Sequence, residues 1–404
     1  MNETSGWPAR NKQQVALLLH RVVSYARQWI PIALRAALVI GLLSLIQPPR
    51  LLVTLGEPQT VVTRNELAGV HTLFVNEVEE WKIQRGLSMI REMGAPWIVE
   101  FLPWAYMEPR KGQYNWESAE RIVRHANQQG LRLIARLGFV PDWARPDPIV
   151  QQTTTTYLDR DRYEDFAEFA AAFAAHFRGR IDHIIIWNEP NLSIEWGMRP
   201  VDAAGYIEML RAVYPAIKQA NPDVTVLAGA LAPTLEPPGS AQGLNDLLYL
   251  EAMYEALNAP ASSSGQHAQP KSLRRPYDAW AVHTYGRTAP HDEPPAADRI
   301  NFRRVELLRE IMARNGDDAP VYITESGWND DPRWVFAVTP AQRIAYTLGA
   351  WEYARVNWPW VRCVAVWVFK HPAPAYNYRD RYTFVTPSLE PLPIYEEVKK
   401  ALAD

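Results

Sequence analysis

The chain has 404 residues, a formal net charge of −3 and a single cysteine. A near-neutral chain without a long run of Lys or Arg gives no electrostatic reason to expect a nucleic-acid partner. One cysteine, Cys363, excludes both an intrachain disulfide and a metal site built on a cluster of cysteines.

The first predicted element is an apolar segment near the N-terminus. Residues 30–46 (IPIALRAALVIGLLSLI) are interrupted only by Arg35 and have about the minimum length for a membrane-spanning helix. The cations that precede this segment favour an inside N-terminus. We therefore predict a cytoplasmic segment 1–29, a single-pass membrane anchor 30–46, a linker 47–60 and an extracytoplasmic domain 61–404. A cleaved signal peptide and a buried amphipathic helix are the alternatives.

The rest of the chain alternates short apolar runs with segments of helical spacing. The predicted strands are 67–75, 96–102, 131–138, 183–189, 224–231, 277–284, 320–325 and 362–369. The predicted helices are 77–94, 117–129, 161–178, 204–220, 243–257, 299–314, 339–357 and 393–402. Continuously apolar strands that alternate with helices are typical of a parallel sheet covered on both faces.

Eight such units in one domain predict an α/β fold of the (β/α)₈ barrel type. A doubly wound sheet is the alternative, but it usually has a glycine-rich turn after its first strand. The sequence LFVNEVEEW, which follows the first predicted strand, contains no glycine.

Two of the predicted strands end in a glutamate. Glu189 ends the fourth strand in HIIIWNEP, and Glu325 ends the seventh in VYITES. In a (β/α)₈ barrel the carboxyl ends of the strands form the active face. A buried carboxylate costs several kcal/mol unless it is paired, so two at this face indicate a chemical role. Each glutamate alone is equally well explained as a cap of a loop or helix, or as the partner of an arginine of the barrel.

Several motifs in chain order resemble those of the clan A glycoside hydrolases, the retaining (β/α)₈ glycosidases, and most closely members of the family 39, 42 and 5 types. The motif WNEP (187–190) resembles the fourth-strand signature of that clan, and ITESGW (323–328) resembles its seventh-strand nucleophile site. Similar segments are PWAYMEPRKGQYNW (103–116), LGFVPDWA (137–144) and VHTYG (282–286).

The resemblance implies a role for each matched residue. Glu189 would be the general acid and base, and Glu325 the nucleophile of a covalent intermediate, with the two carboxyl groups about 5–5.5 Å apart. Asn188 would bind the sugar 2-hydroxyl, and Tyr285 would hold Glu325 in line. His283 would support this group from the strand end, and Trp367 would form the floor of the sugar site.

The second strand departs from the pattern of the clan, which often has an arginine there. Glu100 stands in its place, and Arg136 lies on the third strand. We predict that the two pair in the substrate site, although Glu100 pointing outward between helices is an equal alternative. Trp104 and Trp143 follow strand ends and are the best candidates for further sugar contacts.

The resemblance thus implies hydrolysis of β-linked oligo- or polysaccharides by double displacement, with no cofactor and no metal. A carbohydrate-binding pseudoenzyme and a transglycosylase on the same barrel remain alternatives. A metal-dependent barrel hydrolase is disfavoured, because none of the nine histidines forms the His-x-His pair that this chemistry needs on the first strand.

Overall fold

The computed structural model describes residues 9–45, 54–146, 153–259 and 275–403. The chain divides into two compact units, Met1–Thr54 and Leu55–Asp404.

The first unit contains one long helix, α1 (Ala9–Leu45), with Pro31 inside it. The apolar segment 30–46 begins within this helix, and its last residue lies outside the described residues. Apolar side chains such as Leu34 and Leu38 are exposed. Among the described residues, no helix combines the length and the apolar character needed to cross a membrane. The membrane anchor stays a prediction.

The second unit contains a closed barrel in which each strand pairs in parallel with the next and the last pairs with the first. Its strands are β1 (Ala68–Thr72), β2 (Trp97–Pro103), β3 (Arg132–Gly138), β4 (His183–Ile186), β5 (Thr225–Leu231), β6 (Ala279–Tyr285), β7 (Val321–Gly327) and β8 (Val361–Val366). Each strand falls on one of the eight predicted runs, so the predicted (β/α)₈ barrel is confirmed.

Helices follow the strands in the predicted order. They are α2 (Glu80–Glu92), α3 (Trp104–Met107), α4 (Glu117–Gln128), α5 (Tyr163–His176), α6 (Ala203–Ala220), α7 (Asp246–Asn258), α8 (Val305–Arg314), α9 (Pro340–Asn357) and α10 (Pro393–Leu402). Local signals fix several helix starts. Thr339 and Gln342 form a reciprocal capping box before α9, and the Asp202 carboxylate caps α6.

Two apolar cores lie on the two faces of the sheet. Alternate strand residues such as Val99, Ile134 and Ile185 fill the inside of the barrel. The intervening residues, such as Ile98 and Leu133, pack outward against the helices. Because both faces are apolar, the strands read as unbroken apolar runs in the sequence. The inner core ends below the carboxyl ends of the strands, where polar side chains take over.

Candidate active site

Glu189 stands in a turn after β4 whose backbone leaves the extended conformation. β4 ends at Ile186, and Trp187 and Glu189 then have φ angles of 73° and 39°. Positive φ angles are uncommon in residues other than glycine, and they persist where surrounding contacts fix the backbone. One such contact is the Trp187 indole, which donates to the Glu195 backbone oxygen at 2.7 Å. The turn buries the Trp187 ring in the outer core, while Asn188 and Glu189 line the barrel mouth.

Glu325 reaches the barrel mouth because strand β7 contains an irregularity. Ile323 pairs with the residue before His283, and His283 itself pairs with Glu325, so Thr324 is an extra residue on β7. Tyr322 belongs to the inner core and Ile323 to the outer core, so strict alternation would direct Glu325 outward. The extra residue reverses the alternation and places Glu325 on the inner face.

The structure brings the two glutamates together although 136 positions (325 − 189) separate them in the chain. One oxygen of Glu189, one oxygen of Glu325 and one ring nitrogen of His283 lie within 4.8 Å of one another. His283 Nδ1 lies 2.7 Å from Glu189 Oε1 and 3.6 Å from Glu325 Oε2. The imidazole therefore bridges the two carboxyl groups from below.

Two protein donors hold the Glu325 carboxylate. Arg136 Nη1 donates to Oε1 at 2.6 Å, and the Tyr285 hydroxyl donates to Oε2 at 2.7 Å. Burial by itself would raise the pKa of this carboxyl. The interactions of this carboxylate with His283 and Arg136, together with the Tyr285 hydroxyl, outweigh burial and lower the pKa to about 2. Glu325 is therefore ionised at neutral pH.

The donor atoms of Glu189, His283 and Glu325 would also suit a divalent cation by type and spacing. The charge around these three side chains is less suitable for a metal ion. Arg136 adds a positive charge in contact with Glu325, and both Glu325 oxygens already accept protein hydrogen bonds. A metal ion would have to compete with both donors, so the arrangement favours an unmetallated carboxyl pair.

His71 is a further polar residue of this group, and no motif in the sequence pointed to it. Its Nε2 lies 3.7 Å from Glu325 Oε1, and its ring centroid lies 4.6 Å from that of Trp367. Burial, reinforced by the charge of Arg136, lowers the pKa of His71 to about 3, so the ring is neutral.

Asn188 is fixed at both ends of its amide. Its Oδ1 accepts from Arg136 Nη1 at 2.8 Å, and its side chain also hydrogen-bonds the Glu195 carboxyl. Burial, together with the negative charge of Glu189, raises the pKa of Glu195 to about 7. No sequence signal pointed to Glu195, because it lies in a short 3-10 helix (Ser193–Trp196) six positions after Glu189 and matches no motif.

A cavity of about 660 Å³ opens above the two glutamates. Trp367, predicted as its floor, lines it and is joined to Val368 by a cis peptide bond. Trp334 also lines the cavity and stacks on Tyr378, with ring centroids 4.9 Å apart and 8° between the ring planes. Flat aromatic surfaces beside paired carboxyl groups suit a ligand with both apolar faces and hydroxyl groups.

The predicted pairing of Glu100 with Arg136 is wrong. Arg136 pairs with Glu325, while Glu100 points away from the barrel interior and accepts from the backbone nitrogens of Phe74 and Val75 at 3.1 and 2.9 Å. Strand alternation explains this, because Glu100 lies between residues 99 and 101, whose side chains face inward. Glu100 fixes the loop after β1 and does not line the cavity that contains Glu189 and Glu325.

The predicted sugar contacts of Trp104 and Trp143 are also wrong for this cavity, since neither residue lines it. Trp104 is fully buried, donates to Glu108 Oε2 at 2.6 Å and stacks on Phe169. Trp143 donates to the Glu108 backbone oxygen at 2.9 Å and packs edge-on against Trp104. Both indoles therefore fasten loops to the outer core.

Comparison with known proteins finds relatives by structure alone. No family model and no curated protein matches the chain. A family 39 glycoside hydrolase from the gut symbiont Bacteroides cellulosilyticus WH2 superposes with a TM-score of 0.62 at 19% sequence identity, covering 84% of this chain. The chain spans 64% of the length of that enzyme.

Two further glycosidases have the same fold. Xylanase 10B from Thermotoga maritima gives a TM-score of 0.53 at 15% identity and covers 83% of this chain and 94% of its own. A glucosidase from Croceicoccus marinus gives 0.57 at 14% identity and covers 85% and 68%. The resemblance to the clan A glycoside hydrolases is therefore confirmed at the level of the fold.

Proposed function

We propose that the protein is a retaining glycoside hydrolase that cleaves β-linked glycosides. The main support is the approach of Glu189 and Glu325, which have oxygens within 4.8 Å of each other. Retaining enzymes need carboxyl groups about 5–5.5 Å apart, whereas inverting enzymes separate them by about 6.5–9.5 Å to admit a water molecule. The glycosidase neighbours support the reaction class through their shared fold.

Glu325 is the proposed nucleophile. Its lowered pKa keeps a free carboxylate at neutral pH, and Arg136 and Tyr285 hold that carboxylate in one orientation. One of its oxygens attacks the anomeric carbon and forms an ester bond, while the bond from that carbon to the leaving oxygen breaks. Arg136 and Tyr285 bind the free carboxylate of Glu325 more strongly than the neutral ester of the intermediate. They therefore also favour the later release of Glu325 from the sugar.

Glu189 is the proposed acid and base. As the first bond breaks, its carboxyl group gives its proton to the leaving oxygen. The resulting carboxylate then removes a proton from water, whose oxygen attacks the anomeric carbon and releases Glu325. His283 contacts Glu189 at 2.7 Å and sets the orientation of this carboxyl group. Asn188, held by Arg136, offers its amide to the sugar 2-hydroxyl.

The stereochemistry of the product tests this mechanism. We expect nuclear magnetic resonance spectra of a 4-nitrophenyl β-glycoside digest to show the β-anomer first, because two inversions give retention. A 2-deoxy-2-fluoro β-glycoside with a good leaving group should label Glu325, as identified by peptide mass. Initial release of the α-anomer, or labelling of another carboxylate, would contradict the proposal.

Rescue by azide tests the role of Glu189. The Glu189→Ala variant should form the glycosyl-enzyme from a substrate with an activated leaving group but hydrolyse it slowly. Azide needs no general base, so its addition should restore turnover and yield a β-glycosyl azide. Glu310→Gln, on the exposed side of α8, is the matched carboxyl control. An azide-insensitive Glu189→Ala variant would remove Glu189 from this role.

We also propose that residues 30–46 anchor the protein in a membrane, with residues 61–404 outside the cytoplasm. The apolar sequence and the cations that precede it support this placement. The full chain should then resist extraction from membranes by alkaline carbonate, and a chain starting at residue 55 should be released. Release of the full chain by carbonate would contradict the anchor.

A further inference from the structure

One wall of the cavity contains a cation for which the described part of the chain supplies no acidic partner. Arg287 follows β6 in a loop, has a φ angle of 50° and is half-buried. Its guanidinium lies over the Phe336 ring, 4.4 Å from the centroid. Burial lowers the pKa of Arg287, and no carboxylate among the described residues compensates for that burial. A desolvated cation without a counter-ion is unfavourable, so this arrangement needs an explanation.

Other buried arginines of the same domain are neutralised. Arg304 donates to both carboxylate oxygens of Asp246 at 2.8–3.0 Å, and Arg343 lies 3.4 Å from Asp330. Arg136 pairs with Glu325. Arg287 differs from these arginines because it lines the cavity that contains the two glutamates and is paired with no carboxylate among the described residues.

Glu195 and Arg287 line the same cavity but have different charged neighbours. Arg379, which is exposed, also lines it and adds a second positive charge. The carboxyl group of Glu195 interacts with Glu189 and Arg136, whereas Arg287 interacts with the neutral Tyr382 hydroxyl and with Arg304. An anionic group on a substrate would therefore be attracted to the wall of Arg287 and repelled from that of Glu195.

Aromatic rings lie next to the two arginines. Trp334, stacked on Tyr378, and Tyr382 line the cavity together with Arg287 and Arg379. A sugar ring stacked on such a surface would direct its substituents toward the guanidinium groups. Arginine offers two parallel N–H donors, which match the two oxygens of a carboxylate or of a sulfate ester.

We propose that the substrate has an acidic sugar, a uronic acid or a sulfated sugar, and that Arg287 binds its anionic group. The proposal rests on the glycosidase function, because the anion is bound in the same cavity as Glu189 and Glu325. It adds a substrate class to that function, and Arg287 becomes a determinant of specificity.

Calorimetric binding to the Glu325→Gln variant tests the proposal without requiring turnover. The probes are matched oligosaccharides: glucose against glucuronic acid, galactose against galacturonic acid, and each neutral sugar against its 6-O-sulfate. We expect at least one acidic member to bind at least about 10-fold more tightly than its neutral counterpart, the effect of one charge-assisted hydrogen-bond pair. The uronic acid and sulfate arms identify which anion is recognised.

Adding Arg287→Gln should reduce that preference by roughly 10- to 100-fold, whereas Arg287→Lys should retain part of it. Arg381→Gln is the matched control, since Arg381 is exposed nearby but does not line this cavity. Equal binding of acidic and neutral sugars, or an unchanged preference in Arg287→Gln, would overturn the proposal. The stereochemical and labelling tests examine the glycosidase function separately, so a failure of either conclusion can be recognised.

Discussion

Two fully buried glutamates of this barrel show how neighbouring groups decide the charge of a carboxyl group. Glu325 lies inside the mouth beside Arg136, and its pKa is lowered to about 2. Glu100 lies outside the sheet under the loop after β1, where burial raises its pKa to about 7. The partners of Glu100 are neutral donors, the Thr72 hydroxyl and two backbone N–H groups. Burial is common to both sites, but the interactions with His283, Arg136 and the Tyr285 hydroxyl outweigh it only at Glu325.

Replacement of each glutamate by glutamine should separate the two sites most clearly. Glu325→Gln removes the proposed nucleophile and should reduce kcat by about 10⁴-fold or more. Glu100→Gln should retain activity but lower the free energy of unfolding by about 1–3 kcal/mol, because a buried hydrogen-bond network is disturbed. Steady-state kinetics and urea unfolding measure both effects. An active Glu325→Gln variant would contradict the assignment of the two sites.

Removal of the Arg136 cation should make the pKa of Glu325 more like that of Glu100. In Arg136→Met the carboxylate loses its closest positive charge, so the pKa of Glu325 should rise toward its ordinary value. We expect kcat/KM to fall by about 10- to 100-fold, as for a lost charged hydrogen bond. The acidic limb of the pH–rate profile should move to higher pH. An acidic limb that stays in place would show that Arg136 does not control the charge of Glu325.

The two glutamates should have opposite effects on stability as the pH changes. The folded-state pKa of Glu325 lies below its ordinary value of 4.5, so its contribution is present above pH 4.5 and is lost as the pH falls toward 2. The folded-state pKa of Glu100 lies above 4.5, so its contribution is present below pH 4.5 and is lost as the pH rises through 7.

Thermal unfolding of the native protein and the two glutamine variants measures this difference. The Tm advantage of the native protein over Glu325→Gln should shrink between pH 5 and pH 3. Its advantage over Glu100→Gln should shrink between pH 5 and pH 8. Each kcal/mol of free energy of unfolding corresponds to a Tm shift of roughly 2–4 °C in a domain somewhat smaller than this one. Parallel pH curves for the two variants would contradict the opposite pKa shifts.

Replacement of Glu195 should have the smallest effect on activity, because Glu195 acts only through Asn188 and through its own charge. Its pKa of about 7 predicts an inflection near neutral pH in the native pH–rate profile. Glu195→Gln should remove that inflection and lower kcat/KM by about 3- to 10-fold, the loss expected for one hydrogen bond. Glu208→Gln, on the outer side of α6, is the control. A profile unchanged near pH 7 would exclude Glu195 from the site.

The sequence predicted the barrel well because its signal is local. Each apolar run became a strand and each amphipathic segment a helix, with helix ends fixed by caps such as that at Thr339. The positions of Asn188, Glu189, His283 and Tyr285 near strand ends also followed from motifs. These motifs could be assigned to strands before any contact between them was known.

The direction in which each side chain points was a harder problem. The second strand, WIVEFLPW, is apolar on both faces, so its alternation gives no sign of whether Glu100 faces the barrel or the helices. The same uncertainty affected Trp104, which stands at a strand end yet packs into the outer core. An extra residue at Thr324 decides the orientation of Glu325, and the ITESGW motif that contains Thr324 does not reveal this shift in register.

The sequence by itself determined the order of strands and helices and placed both glutamates at the carboxyl ends of strands, because these depend on short-range periodicity. Tertiary structure alone decided that Arg136 neutralises Glu325, that Glu195 joins the site and that Arg287 has no carboxylate partner among the described residues. Such pairings depend on distances of a few ångströms between residues far apart in the chain. Closure of the barrel sets those distances, and no local pattern encodes them.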